Sequence, residues 1–340
     1  MFKRKYRKLY FLPFAVLFCL FYIGADRVLS FKTAHGIRQA RDLYAQPKNS
    51  IDVVFMGSSH IHCDINTALL YEQYGITAYD YSAAEQPLWI TYYYLQEVCK
   101  TQNPKLVVLD LYSPAAYLPD YQYTWLKDNL NGVRFSFNKL HMLYDACEPG
   151  DYKDYFPSMA TYHARYKELT AEDWDYLTMS KEVRASFKGY TPYRSTASFE
   201  TPQLKDSYAE ESWMTDKSKE YLLKIIEYTR IHNIDLYLFV APYVVKPEHE
   251  PIYWKIKEIA EEHDIPYRDF NYEYTDMGLD FTKHMNDDSH LNYNGSTLFT
   301  GYLANILTQT YDLPDHRGDA YYESWERHVQ EIKELAEASQ

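Results

Sequence analysis

The sequence predicts an α/β chain: a parallel sheet with helices on both faces, carried behind an N-terminal transmembrane helix and interrupted by one α-rich insertion. Three observations lead there. Short apolar runs of strand type alternate with helix-length stretches from Asp52 to Leu111 and again from Asp216 to Phe270, the rhythm of strand–helix crossovers. An uncharged stretch, Leu9 to Ala25, follows the basic start Met1-Phe-Lys-Arg-Lys-Tyr-Arg-Lys8. The interval Tyr112 to Thr215 breaks the alternation with aromatics and prolines and is too long for an idle loop.

Leu9 to Ala25 lies at the short end of the ~17 to 25 residues that span a bilayer. A cleaved signal peptide shares the basic start but needs a shorter core and small residues before the cut. Tyr22-Ile-Gly-Ala-Asp26 offers a poor site, which favours an uncleaved signal anchor over residues 1–30. With the lysines and arginines inside, the rest of the chain is expected outside the cytoplasm. Residues 31–50 read as a polar connector: Ile37, Ala40 and Tyr44 keep a helical spacing, and Pro47 stops it. The main domain is expected over 51–340, with the insertion at 112–215.

Its core opens with strand Asp52 to Met56, helix Asn66 to Tyr74, strand Ile76 to Tyr81, helix Leu88 to Gln102 and strand Lys105 to Leu111. It resumes at helix Asp216 to Asn233, strand Asp235 to Ala241, helix Glu248 to His263 and a short strand near Pro266 to Phe270. A last helical pattern, Leu298 to Leu307, follows a polar loop. In the insertion only Lys139 to Cys147 and Met159 to Leu169 look helical. Residues 319–339 form an amphipathic pattern, with Tyr322, Trp325, Val329, Ile332 and Leu335 at helical spacing, expected to pack on its own domain.

Ile51-Asp-Val-Val-Phe-Met-Gly-Ser-Ser-His60 reads as strand, tight turn, helix. A serine at such a junction is lifted out of the carboxyl edge of the sheet, where the N–H groups of the next helix point. Serine needs a base, and the base an orienting acid. Asp287-Asp-Ser-His290, on the polar loop before the late helix, supplies both.

Gly57-Ser58-Ser59 resembles the first block of the SGNH (GDSL-type) hydrolases, with Ser59 in the nucleophile position. Asp287-x-x-His290 is similar to their last block. The resemblance implies a flavodoxin-like sheet and a Ser59, His290, Asp287 set. Between its ends the chain departs from the family. Where a glycine is usual stands Ala83-Ala84-Glu85-Gln86, and where Gly-x-Asn-Asp is usual stands Leu111-Tyr112-Ser113-Pro114. With no asparagine for an oxyanion hole, the backbone N–H groups of Ser59 and Ala84 are the expected donors. The divergent pattern resembles the membrane-anchored SGNH proteins that act beside membrane-bound O-acyltransferases in lipoteichoic acid D-alanylation and alginate acetylation. That resemblance implies extracytoplasmic serine-dependent O-acyl transfer, with an esterase or deacylase of cell-surface glycans as the alternative, an O-acyltransferase partner, a cell-surface polysaccharide or teichoic-acid-like acceptor, and no cofactor. It also implies substrate contacts at His163, Arg165 and Lys188; His60, directly after the nucleophile, and Gln86 are further candidates.

Composition bounds the alternatives. A net charge of −13 excludes a basic face for nucleic acid. Cys19, Cys63, Cys99 and Cys147 are too scattered for a disulfide framework. The 37 tyrosines suit a sugar-stacking surface, or reflect composition alone. His60-Ile-His62-Cys63-Asp64 has a His-x-His-x-Asp spacing that suits zinc, but further ligands would have to come from His163, His284 or His290. A non-catalytic scaffold of the same shape is the third reading. The missing asparagine favours it, and the intact Ser59, Asp287 and His290 oppose it.

Overall fold

The structure, a computed structural model, describes residues 3–205 and 212–338. Five parallel strands form one sheet: β1 (Val53–Gly57), β2 (Ala78–Ser82), β3 (Leu106–Asp110), β4 (Asp235–Val240) and β5 (Tyr267–Asp269), in the order β2-β1-β3-β4-β5. This is a doubly wound α/β sheet of flavodoxin-like strand order. Its strand order reverses between β1 and β3, and a crevice opens there at the carboxyl edge. The register aligns Gly57 with Ser82 and Met56 with Leu109, so the ends of β1, β2 and β3 form one level rim.

Alternating side chains of each strand feed two cores, as a period of two requires when both faces are covered. Val54, Met56, Tyr79, Tyr81, Val107 and Leu109 face helices α2 (Ile37–Leu43), α5 (Leu88–Cys99), α6 (Asp216–Ile231) and α7 (Glu250–Glu262). Val53, Phe55, Ala78, Leu106 and Val108 face α3 (Ser59–Asp64), α4 (Thr67–Tyr74) and α8 (Tyr293–Thr310). Asn66 caps α4 by accepting the Leu69 N–H, and Asn292 caps α8 by accepting the Gly295 N–H. The C-terminal α9 (Glu323–Glu337) packs inward: Trp325 is fully buried and donates from Nε1 to the Ala78 carbonyl. Positions 339 and 340 lie outside the described residues.

The N-terminal helix α1 (Lys3–Leu29) contains one segment, Phe11–Leu29, long and apolar enough to cross a membrane. Its side chains from Phe11 to Ile23 stand largely exposed.

Within the insertion, short helices at Leu126–Asn131 and Phe137–Ala146 lie against α2 and α5. Met159–Tyr162 and the 3-10 turn His163–Lys167 lie against the outer end of α1. The insertion then returns along the exposed edge of β2, where the Lys188 carbonyl accepts the Asp80 N–H and closes an otherwise open strand edge. The two ends of the insertion flank the Ser59 turn, and its middle packs on the connector and on α1.

Candidate active site

Gly57 makes the turn. Its φ of 145° is one that side chains rarely adopt, and a Cβ there would meet Asp110 Cβ at 3.0 Å and the Asp110 carbonyl at 3.1 Å. The chain therefore leaves β1 hard against the end of β3, and Ser58 then caps a six-residue helix, α3, that begins at Ser59. The sequence reading has no helix here and starts the domain's first one at Asn66. A polar, histidine-rich stretch carries no apolar period to reveal so short a helix.

Ser59 Oγ lies 2.7 Å from His290 Nε2. His290 Nδ1 lies 2.9 and 3.0 Å from the two Asp287 carboxylate oxygens. With Nδ1 donating to the carboxylate, Nε2 is the unprotonated nitrogen and accepts from the serine. The Ser289 and His290 N–H groups and the Asn286 amide also donate to Asp287. Burial works to raise the Asp287 pKa, but His290 and these donors outweigh it and hold the carboxyl well below its usual range. It is therefore a firm anion that fixes the imidazole.

Asp64 ties the two ends of the site together. Its Oδ1 accepts the Leu291 N–H at 2.9 Å, which pins the loop carrying His290 to the helix carrying Ser59. Below His290 lies an aromatic floor. The His60 ring packs on Tyr112 with centroids 4.0 Å apart, on Tyr243 at 5.4 Å and on His290 at 5.6 Å. Tyr193, from the returning end of the insertion, meets the His290 ring at 5.4 Å. His60 Nδ1 is 3.9 Å from Asp110 Oδ2. Burial drives the His60 pKa well down, and burial pushes Asp110 up to about 7 against the pull of the Ala241 and Tyr112 N–H groups. Asp110, Tyr112 and Tyr193 were not read as site residues, and Asp64 was read only as a candidate metal ligand. The chain alone offers only an acid and a tyrosine at the end of a strand as a signal.

Several expected contacts fall elsewhere. The Ala84 N–H donates to the His35 carbonyl at 2.9 Å, so it is spent and cannot serve an oxyanion. Gln86 is fully buried and donates to Thr91. His60 is buried beneath His290 rather than open to substrate. Lys188 is fully buried, with Nζ bonded to Gln46, the Ala185 carbonyl and Ser324, over the Trp325 ring. Arg165 donates to the Leu29 and Ser30 carbonyls and grips Asp173 with both terminal nitrogens. His163 stands on the same exposed turn, against the base of α1. These residues build the scaffold. Ser58, expected to hydrogen-bond the turn, has a buried hydroxyl with no partner.

The zinc reading fails on geometry. His62 Nδ1 pairs with Ser82 Oγ at 2.9 Å, Asp64 holds Leu291, and His60 faces Asp110 and Tyr112. His284 Nδ1 accepts the Asp280 N–H. Among the described residues no three such groups converge.

No protein-family model matches the chain, and no curated protein does. Among solved structures it is similar to a candidate acylhydrolase from Bacteroides fragilis NCTC 9343, with a TM-score of 0.42 and 13% identity over 83% of this chain and 99% of that one. It is also similar to a candidate GDSL-like lipase from Parabacteroides merdae ATCC 43184, with a TM-score of 0.38 and 12% identity over 78% of this chain and 97% of that one. Scores this low fix neither a shared family nor a shared activity, and the chemistry of the site rests on its own geometry.

Proposed function

We propose that the protein is a serine-dependent acyl-transfer enzyme acting outside the cytoplasm. In this reading it moves an O-acyl group to a hydroxyl of a cell-surface glycopolymer and works beside a membrane-bound O-acyltransferase. The observation that carries the chemistry is the continuous hydrogen-bonded chain from Ser59 through His290 to Asp287. His290 Nε2 takes the Ser59 proton as Oγ attacks the acyl carbonyl, and Asp287 stabilises the imidazolium. The same proton goes to the leaving group as the tetrahedral intermediate collapses to an acyl-serine. An acceptor hydroxyl then gives its proton to Nε2 and attacks the ester, and Ser59 regains a proton as it leaves. The Ser59 N–H, at the first position of α3, is the remaining donor toward the oxyanion, since a helix leaves its first N–H groups without internal acceptors.

The location rests on the basic Lys3 to Lys8 ahead of an apolar helix. The partner and the acceptor rest on the sequence resemblance. A fluorophosphonate probe tests the chemistry: it should label Ser59 in the wild type and not in Ser59→Ala. Acylation of the surface polymer should disappear in cells carrying Ser59→Ala alone. Fast turnover of p-nitrophenyl acetate with polymer acylation unchanged by that variant would make the enzyme an esterase instead. Absence of labelling in the wild type would leave a scaffold.

A further inference from the structure

Where the C-terminal end of α1 meets the insertion lies a cavity of 510 Å³ that is not shared with the serine, and its wall is strongly cationic. Arg27 comes from α1, Arg41 from α2, Arg134 and Lys139 from the insertion, and Arg184 from the helix Lys181–Ser186, against one carboxylate, Asp26. Asp26 is already taken by the Tyr162 and Ser158 hydroxyls. Arg184 is met by Asp42 at 2.7 Å. Among the described residues the other four cations form no ion pair with a carboxylate: Arg41 donates to the Phe31 carbonyl, and Arg134 lies over the Tyr44 ring at 4.2 Å.

Lys139 is the telling member. It is 7% exposed, and its ammonium donates to one acceptor, the Val133 carbonyl. An ammonium has three protons to place, and a buried charge without a counterion is costly. Burial, with the Arg41 charge beside it, pushes its pKa down to about 8 against the pull of the Asp26 and Glu97 carboxylates. An anion in the cavity would relieve both. The rim is apolar: Phe135 and Phe156 stack at 5.6 Å, and Ile23 of α1 stands exposed beside the cavity. Cations below and apolar side chains above, at the last turns of an apolar helix, match a charged headgroup with hydrocarbon attached.

We propose that this cavity binds the phosphate headgroup of an anionic lipid in the leaflet where α1 emerges, with the Phe135–Phe156 pair against its acyl chains. The proposal rests on α1 being a membrane anchor. The test uses the full chain in neutral detergent micelles, with bound lipid read by native mass spectrometry after adding phosphatidylglycerol or phosphatidylcholine. Wild type should retain phosphatidylglycerol at least tenfold over phosphatidylcholine. Lys139→Met with Arg134→Gln should bring that ratio close to one, and the exposed Arg134→Gln alone should lower it several-fold. Fluorophosphonate labelling of Ser59 should be unchanged in both, which shows that they fold. Equal retention of the two lipids by the wild type, or full preference in the double variant, overturns the proposal. Displacement of the lipid by an equal concentration of glycerol 3-phosphate overturns the lipid as the source and makes this a site for a soluble phosphate. Release of the chain from membranes by carbonate overturns the anchor itself, while the micelle ratio still decides the cavity.

Discussion

Ser59 Oγ and His290 Nε2 stand 2.7 Å apart although 231 positions separate them in the chain. Two local devices hold that distance: the Gly57 turn that launches α3, and the Asp64 carboxylate that grips the Leu291 N–H.

The first prediction concerns the two adjacent serines. Ser59→Ala should lower acyl transfer by at least about 10³-fold, and His290→Ala should do nearly the same because the pair acts as one unit. Asp287→Asn should cost less than either, since the ring keeps its packing on His60 and Tyr193. Ser58→Ala should keep most activity, because the Ser58 hydroxyl has no partner to lose. Single-turnover rates with an activated ester check all four. A dead Ser58→Ala beside an active Ser59→Ala would mean that the nucleophile has been misassigned.

Gly57→Ala should destabilise the protein by about 1–3 kcal/mol and slow Ser59 labelling. The strain comes from φ 145°, and the new methyl would press on the Asp110 backbone. Thermal unfolding followed together with probe labelling separates the two effects. An unchanged midpoint would show that the turn relaxes freely.

Asp110 predicts a pH dependence of stability. Burial raises its pKa from 3.8 to about 7, so between those values the folded state keeps a proton that the unfolded state releases. Stability from this group therefore falls as pH rises from about 4 to 7, and is flat above. Asp110→Asn should flatten that slope. Denaturant midpoints at pH 5, 6, 7 and 8 for both proteins provide the check, and parallel curves would count against a protonated Asp110. His60, the ionisable ring facing it, has its own pKa driven well down by burial.

Arg165→Ala should loosen the junction after α1 without touching the chemistry. It removes the bonds to the Leu29 and Ser30 carbonyls and the paired grip on Asp173, and leaves Asp173 with Lys32 at 3.1 Å. Faster amide exchange around residues 29–35, with Ser59 labelling unchanged, is the expected outcome. A loss of labelling equal to that of His290→Ala would return Arg165 to the substrate site. Asp173 is pulled down to about 2: burial opposes this, but Arg165, the Thr170 N–H and Lys32 prevail. Its contribution is therefore complete above the ordinary carboxylate range and is lost progressively as pH falls from about 4 to about 2.

The five strands and the helices between them were legible because each is a local pattern. Val53 to Gly57 and Leu106 to Asp110 are apolar runs cut short by a turn or an acid, and α6 and α7 carry the helical period. The hydrogen-bonded set of Ser59, His290 and Asp287 was legible for a related reason. A serine after a strand-ending glycine, and an acid three before a histidine on a polar loop, are short motifs whose chemistry is complete within a few residues.

What only the tertiary structure decided is where the polar groups between those motifs spend their hydrogen bonds. The Ala84 N–H is lost to His35, Lys188 to Gln46 and Ser324, and Arg165 to Leu29, Ser30 and Asp173. Nothing local distinguishes such groups from ones that face a substrate. Their partners lie up to 142 positions away, as with Lys188 and Gln46, and a donor becomes available or spent only when the fold brings a distant acceptor to it. The sequence by itself set the elements and marked Ser59, His290 and Asp287, because periodicity and short motifs are properties of neighbours. Closure of the sheet edge, the floor beneath His290 and the cationic cavity beside α1 depend on which remote segments meet, and that is settled by packing.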